Sequence, residues 1–204
     1  MTSDVLPPNN KASFFRELEQ FRFLQRVVLP SVITRAEGLR VWSAGCSTGE
    51  EPYTIAMVVR ESLPDPAADR TRILASDPSF RALRHAAIGE YRDEVMGDVP
   101  SWYRARYFTR TPSGASRVGD SLRCLVRFAQ LNLVNDWPEE GEGPFDVIVC
   151  RNVLRHVDHD TQERLVRAFT QALRPGGFLF ISHAETLSSI DHALRYIQPA
   201  IYIK

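Results

Sequence analysis

The chain of 204 residues carries no net charge, because Lys plus Arg and Asp plus Glu both number 25. A whole-protein field of the kind that gathers nucleic acid is therefore missing, which excludes a bulk polyanion binder while leaving room for a local basic patch. No stretch reaches about 18 consecutive apolar residues, and the start, MTSDVLPPNNKASFF, has no apolar run behind a charged segment. No membrane insertion is expected, and the reading is a cytoplasmic protein. Cysteine is scarce. Cys46, Cys124 and Cys150 are widely spaced, with no CxxC and no paired His/Cys cluster, so neither structural zinc nor a disulfide framework is expected and a reduced compartment fits. No HxxxH or Asp/Glu/His cluster points to a metal. Internal repeats and low-complexity tracts are lacking as well.

What is present is an ordinary globular composition, 44% hydrophobic, 10% aromatic and 25% charged, which excludes a disordered or fibrous chain. Residues 1–12, polar with Pro7-Pro8 and Asn9-Asn10, read as a flexible arm. Over 13–29, Phe14, Phe15, Leu18, Phe21, Leu24, Val27 and Val28 recur at three- and four-residue spacing, which predicts an amphipathic helix with Ser13 as N-cap and Pro30 as its stop. Short apolar runs of strand length follow at 39–44 (LRVWSA), 72–76 (RILAS), 126–130 (VRFAQ), 145–150 (FDVIVC) and 178–182 (FLFIS). Helical patterns lie between them at 51–62, with Pro52 in the first turn, and at 161–173, closed by Arg174, Pro175 and Gly176-Gly177. This alternation predicts an open, mostly parallel sheet with helices on both faces. Residues 102–124, with Tyr103, Tyr107, Phe108 and the turn TPSGA, read as a small antiparallel hairpin inserted in the wound sheet.

The chemistry-bearing residues fall at the C-terminal ends of the predicted strands. The first strand runs into AGCSTGEEP (44–52), small residues opening a helix, where backbone approaches a ligand and the helix N-terminus offers free N–H groups. No Lys follows the last Gly, so this is not a Walker A loop, and the two Glu residues would repel a polyphosphate. A carboxylate there suits an ammonium or sulfonium ligand. Asp77 ends the second strand, where an acid can accept both hydroxyls of a ribose or serve as an N-cap. Asn132, flanked by Leu131 and Leu133, is placed to bond a base edge, and the fourth strand ends in a polar cluster, CRNVLRH (150–156). His183 and Glu185 follow the last parallel strand and read as site-lining. Cys46 reads as a small filler rather than a nucleophile, and Trp42 and Trp137 as packing residues.

These segments carry a resemblance. WSAGCSTGEEPYTIAM (42–57), ILASD (73–77), FFRE (14–17), FAQLNL (128–133), FDVIVCRNVL (145–154) and LRPGGFLFISHAETL (173–187) resemble the chemotaxis receptor methyltransferases, the CheR family, over roughly 12–204. The resemblance implies an α/β fold with a Rossmann-like class I methyltransferase sheet and a small inserted antiparallel β-subdomain, and S-adenosyl-L-methionine as cofactor, with S-adenosyl-L-homocysteine as product. It implies methyl transfer to glutamate carboxylates on the cytoplasmic helices of chemoreceptors. Position by position, Ala44, Gly45 and Glu50 match the loop around the methionine part, Asp77 the ribose acid, and Asn132 and Leu133 the adenine contacts. Arg16 matches an arginine beside cofactor and acceptor, and Arg151 and Asn152 match the lip of the site. The inserted hairpin matches a β-subdomain that docks a receptor tail peptide in some members.

The sequence departs from the family at Ala12, where Thr is usual, and at His156-Val157, where Tyr-Phe is usual. His156 is then the group that replaces the Tyr hydroxyl in orienting the acceptor. The match begins almost at residue 12, without the helical N-terminal domain of full-length members. These departures keep two alternatives open, a methyltransferase with another acceptor and a non-catalytic cofactor-binding sensor or scaffold. A nucleic-acid methyltransferase is disfavoured by the zero net charge and by the lack of an Asn/Asp-Pro-Pro-Tyr run for flipped bases. Arg104, Arg106, Arg110, Arg117 and Arg123 are expected to form the local basic patch that meets acidic receptor helices.

Overall fold

The computed structural model describes residues 12–33, 35–139 and 141–204; the arm expected over 1–12 lies, Ala12 apart, outside the described residues. Helix α1 (Leu18–Phe23) runs through a π turn (Leu24–Val28) into α2 (Leu29–Val32). Next come β1 (Arg40–Ala44), α3 (Glu50–Ser62), α4 (Asp65–Asp69), β2 (Arg72–Asp77), α5 (Phe80–Ile88) and β3 (Glu90–Tyr91). They are followed by α6 (Ser101–Tyr107), β4 (Phe108–Arg110), β5 (Ser116–Val118), α7 (Asp120–Arg123), β6 (Val126–Gln130) and β7 (Phe145–Cys150). A 3-10 turn (Leu154–His156), α8 (His159–Ala172), β8 (Leu173–Ile181), β9 (Arg195–Gln198) and β10 (Ile201–Ile203) complete the order.

Side chains on successive strand residues point to opposite faces, and this period of two divides the core. Leu74, Trp42, Ile148 and Leu179 form one row across four neighbouring strands. With Phe145 and Phe169 they pack under α8, where Trp42 is fully buried and its indole N–H donates to the Ser76 hydroxyl at 2.9 Å. The alternate row, Ile73, Val41 and Val147, faces the other way and packs with Ile55, Val59, Leu24 and Val28 from α3 and the N-terminal helix. Apolar residues on both faces demand cover on both faces, which is why the strand runs read as continuous rather than alternating.

The sheet order is β6-β2-β1-β7-β8-β10-β9, with β6 to β8 parallel and β10 antiparallel to both its neighbours. Chain direction of travel reverses between β1 and β7, so the crevice at their C-terminal ends is the place for a ligand. A second sheet, β3-β5-β4, is antiparallel. The inserted element therefore departs from a plain hairpin over 102–124. Residues Ser101–Tyr107 are helical, the hairpin proper is β4 with β5, and the third strand comes from Glu90–Tyr91. Phe14 inserts edge-on against Tyr91 and Phe108, tying the N-terminal segment to this small sheet.

Two local readings are corrected. The N-terminal helix starts at Leu18, not Ser13, and passes through Pro30 instead of stopping there. In the π turn the Leu29 N–H reaches back to the Leu24 carbonyl, so Pro30 sits in the first turn of α2, where its missing N–H costs nothing. The extra residue in that turn shifts the apolar stripe, and Leu18 and Val27, read as core, are 44% and 47% exposed. The last parallel strand starts at Leu173, not Phe178, and runs through Pro175-Gly176-Gly177, because Gly176 N–H donates to the Lys204 carbonyl and Lys204 N–H to that of Gly177. No helix among the described residues is long and apolar enough to cross a membrane.

At the opposite end of the sheet from the crevice, Asp146 is 4% exposed. Its carboxylate accepts the Arg40 backbone N–H at 2.8 Å and pairs with Arg35 and with Arg174 at 3.1 Å. Asp146→Ala strands two arginines and one backbone donor. Both arginines retain some contact with water, so the expected loss is about 2–3 kcal/mol, at the lower edge for a broken buried pair; urea denaturation checks it.

Candidate active site

The loop from β1 to α3 is shaped by glycine. Gly45 has φ +84, and a Cβ there would lie 2.6 Å from a Val153 methyl, so backbone closes against the lip of β7. The N–H groups of Gly45 and Cys46 both donate to the Ser76 carbonyl, at 2.8 and 2.9 Å, which pins the loop to β2. Gly49, φ +95, precedes α3; a Cβ would meet Ala86 at 2.7 Å and the Tyr91 hydroxyl at 2.9 Å. Glu50, the first residue of α3, is buried at 3% exposure, and the Thr48 hydroxyl donates to its carboxylate at 2.7 Å. The partial positive charge of a helix N-terminus favours an anion in that place.

Asp77 closes β2. Its two carboxylate oxygens accept the Ser47 and Ser79 backbone N–H groups, each at 2.9 Å. Burial pushes the carboxyl above its ordinary value, and these two bonds offset that only in part. Each oxygen has a second lone pair, so the group keeps acceptor capacity for a diol. Cys46 is buried, and burial together with the Asp77 and Glu51 charges pushes its thiol well up, which keeps it a neutral filler.

Arg151, expected at the lip of the site, follows the last residue of β7. Its side chain is 5% exposed and engages protein partners through Nε and Nη1. Nε donates to Glu51 at 2.6 Å, Nη1 donates to the Arg16 carbonyl, Glu17 stands 3.8 Å away, and Phe21 lies under the guanidinium at 5.4 Å. The other Glu51 oxygen accepts the Ser43 hydroxyl at 2.6 Å. Arg151 therefore joins the end of β7 to α3 and the N-terminal segment. Glu17 also accepts the Ser182 hydroxyl at 2.8 Å and the His183 N–H at 3.1 Å.

Asn152 follows in the left-handed region, φ +60, which Asn tolerates. Its side-chain amide donates to the Ser182 hydroxyl at 3.4 Å. Glu185 gathers the N–H groups of Asn152 at 3.1 Å, Ser182 at 3.0 Å and Arg155 at 3.2 Å, stitching the β7 loop to the end of β8. Asn132 is exposed after β6, its amide oxygen taking the Val134 N–H at 3.2 Å. Leu133 is buried with Trp42, Ala44 and Leu74 and supports the adjacent surface from beneath. Arg16 is partly buried, and its guanidinium has no hydrogen bond or ion pair among the described residues. His156 is exposed at the end of the 3-10 turn.

The structure thus brings Ala44, Gly45, Glu50, Asp77, Arg151 and Asn152 to one end of the sheet, with residues 14–17 laid across it. Glu17 escaped the sequence reading, and Glu51 was read only as one of the loop's two acids, without its pairing with Arg151. Their signal was position alone, beside Arg16 and Glu50. The expected basic patch is also corrected. Arg110 pairs with Asp93 at 2.7 Å, Arg106 with Glu61 at 3.1 Å and Arg117 with Glu90, while Arg104 and Arg123 donate to the Met96 and Ile88 carbonyls. Neighbouring acids pair with three of the five cations that sequence order had grouped. Among the described residues no group of His, Cys, Asp and Glu is arranged to hold a metal ion.

A parallel sheet with a reversed strand near one edge, a glycine loop after its first strand and an acid after its second define a Rossmann-like class I methyltransferase domain. The family described as CheR methyltransferase, SAM binding domain, matches residues 10–203, and the chain belongs to it. It is 36% identical over 202 residues to a chemotaxis protein methyltransferase of Borreliella burgdorferi, covering 96% of this chain and 70% of the relative. Identity is 38% over 199 residues to chemotaxis protein methyltransferase 2 of Pseudomonas aeruginosa, covering 95% and 69%. It is 37% over 196 residues to the chemotaxis protein methyltransferase of Escherichia coli, covering 95% and 66%.

The chemistry of the lining is compatible with S-adenosylmethionine: the buried Glu50 and Asp77 carboxylates are acceptors of the kind an ammonium and a ribose diol need, and Gly45 leaves backbone open to close approach. Asp77→Asn removes the charge and is expected to weaken S-adenosylmethionine binding about tenfold, the size of one lost charge-assisted hydrogen bond. Because burial raises the Asp77 carboxyl, it takes up a proton at higher pH than an ordinary aspartate. Affinity in the wild type should therefore begin to fall before pH reaches the usual carboxylate range, and calorimetry across pH reads both effects.

Proposed function

We propose that the protein transfers the methyl group of S-adenosylmethionine to a glutamate carboxylate on the cytoplasmic helices of a chemoreceptor. The observation that carries this reading is Arg16, a partly buried residue whose guanidinium has no hydrogen bond or ion pair among the described residues, in a segment whose backbone Arg151 holds at the C-terminal end of the sheet. An unpaired cation in such surroundings suits an anionic acceptor. The cofactor, when bound, would supply a methyl on a cationic sulfonium: the carboxylate oxygen bonds to the methyl carbon as the carbon–sulfur bond breaks, giving a methyl ester with the neutral thioether as leaving group.

The acceptor is already ionised near neutral pH, so the chain needs no general base. Its residues have other tasks. Arg16 and His156 orient the acceptor carboxylate, and the segment carrying Arg16 excludes water from the crevice, so that the oxygen meets the methyl without its hydration shell. Pairing with Arg16 must stay moderate, since a tight ground-state ion pair would raise the barrier. His156, an exposed imidazole, supplies a hydrogen-bond donor in place of a phenol.

The small sheet supports a docking role for a receptor tail. β4 is an edge strand, and beside it lies a cavity of about 500 Å³ lined by Val99, Ser101, Arg104, Phe108 and Arg110 among others. An extended peptide can add a strand at such an edge and place side chains in the groove.

Labelled methyl transfer to a panel of receptor cytoplasmic fragments tests the reading, and the expected product is a base-labile ester. Alkali-stable label would move the acceptor to nitrogen or carbon, and binding without turnover would favour a cofactor sensor. Arg16→Ala is expected to lower kcat/KM about a hundredfold through misplacement of the acceptor, while cofactor affinity changes less than about threefold. Equal losses in the two assays would remove Arg16 from this role.

A further inference from the structure

We infer that Glu17 is a positioning residue for methyl transfer, acting through Arg151 and the end of β8 to hold Arg16 at the rim of the crevice. The inference rests on the methyltransferase reading above and concerns a residue that has no assigned part in it.

Arg16 lies in a segment of four residues that precedes α1 and is not itself regular structure. On either side of it, Phe15 and Glu17 adopt left-handed backbone, φ +54 and φ +59, although neither is glycine. L-residues resist that conformation, so it persists only where neighbours over-determine it. The neighbours can be named. Phe14 is fixed between Tyr91 and Phe108, and the Phe15 N–H donates to the Thr54 hydroxyl at 3.2 Å. The Arg16 carbonyl accepts from Arg151, and the Gln20 amide donates to the Ile181 carbonyl at 2.6 Å.

Glu17 connects these anchors. One carboxylate oxygen accepts two donors from the end of β8, the Ser182 hydroxyl at 2.8 Å and the His183 N–H at 3.1 Å. The other is buried without a hydrogen bond among the described residues and faces two nitrogens, Arg151 Nη1 at 3.8 Å and His183 Nδ1 at 3.5 Å. That oxygen acts by charge. Together with Glu51 it gives the buried guanidinium two carboxylates, so Arg151 is held between α3 and the N-terminal segment while its Nη1 grips the Arg16 carbonyl. Substitution by Gln keeps an acceptor for Ser182 and His183 and turns an amide NH2 toward Arg151. The attraction becomes repulsion and the grip on the Arg16 backbone is loosened, with the fold left in place.

The experiment is a double-mutant cycle on the full chain with Glu17→Gln, Arg16→Ala and the pair, reading kcat, cofactor affinity by calorimetry and thermal midpoint. Glu17→Gln is expected to lower kcat about tenfold with cofactor affinity within about twofold, and to have no further effect on kcat when Arg16 is already Ala. A purely structural role would leave the two losses in kcat multiplicative, or would lower cofactor affinity and kcat in parallel, and either result overturns the inference. Glu17→Ala, which also removes the acceptor for Ser182 and His183, separates the charge from the tether: wild-type kcat in Glu17→Gln with loss only in Glu17→Ala would likewise overturn the charge-based grip. Failure of the wild type itself to label any receptor fragment, with cofactor bound, would overturn the methyltransferase reading and this inference with it.

Discussion

The Arg151 guanidinium, buried between Glu51 and Glu17, is the interaction on which the active end of the molecule depends. It sits where β7 ends, yet its partners belong to α3 and to the segment before α1. A buried cation is tolerable only if its donors are met, and here they are met by groups far apart in the chain. The N-terminal segment is thereby drawn over the crevice instead of packing elsewhere. Its aromatic side chains complete the attachment, Phe14 against Tyr91 and Phe108 of the small sheet and Phe15 against Tyr103 of α6, so one short stretch that carries Arg16 links both sheets.

The electrostatics of the crevice follow from the same economy of position. Glu50, Glu51, Asp77, Glu17 and Glu185 all lie toward the C-terminal ends of the parallel strands, in a protein that is neutral as a whole. Several of these acids are occupied by backbone N–H groups, which lets carboxylates stand close together without matching cations. Glu185 alone gathers three such donors and fixes the two loops that form the far wall. A site built this way is made for a cationic ligand, and a polyphosphate would be repelled from it. The small sheet shows the opposite pattern, where its arginines are neutralised by adjacent acids, and recognition there falls to an edge strand and a groove instead of a charged field.

Much of this was legible in sequence because it is local. The strand runs at 126–130 and 145–150 were read with their full extents, and α3 and α8 within a residue or two, since apolar period and turn chemistry act over a few residues. The glycine loop and Asp77 could be placed because the end of a strand in a wound sheet has a fixed meaning. Readings failed where distant chain intervened. Pairing with Lys204 drew the Pro175-Gly176-Gly177 stretch into β8, and the π turn carried the first helix past Pro30.

The sequence by itself determined the five parallel strands and their order along the chain, the glycine loop after the first of them, and the family to which the chain belongs. Only the tertiary structure decided which charges are available. Arg16 and Arg151 look alike in sequence, as do the five arginines around the small sheet. Among the described residues Arg16 has no ionic partner, and the others are joined to carboxylates or carbonyls. The reason is physical: charge pairing depends on distance across the fold, and residues that meet from opposite ends of the chain, as Glu17 and Ser182 do, leave no periodic trace.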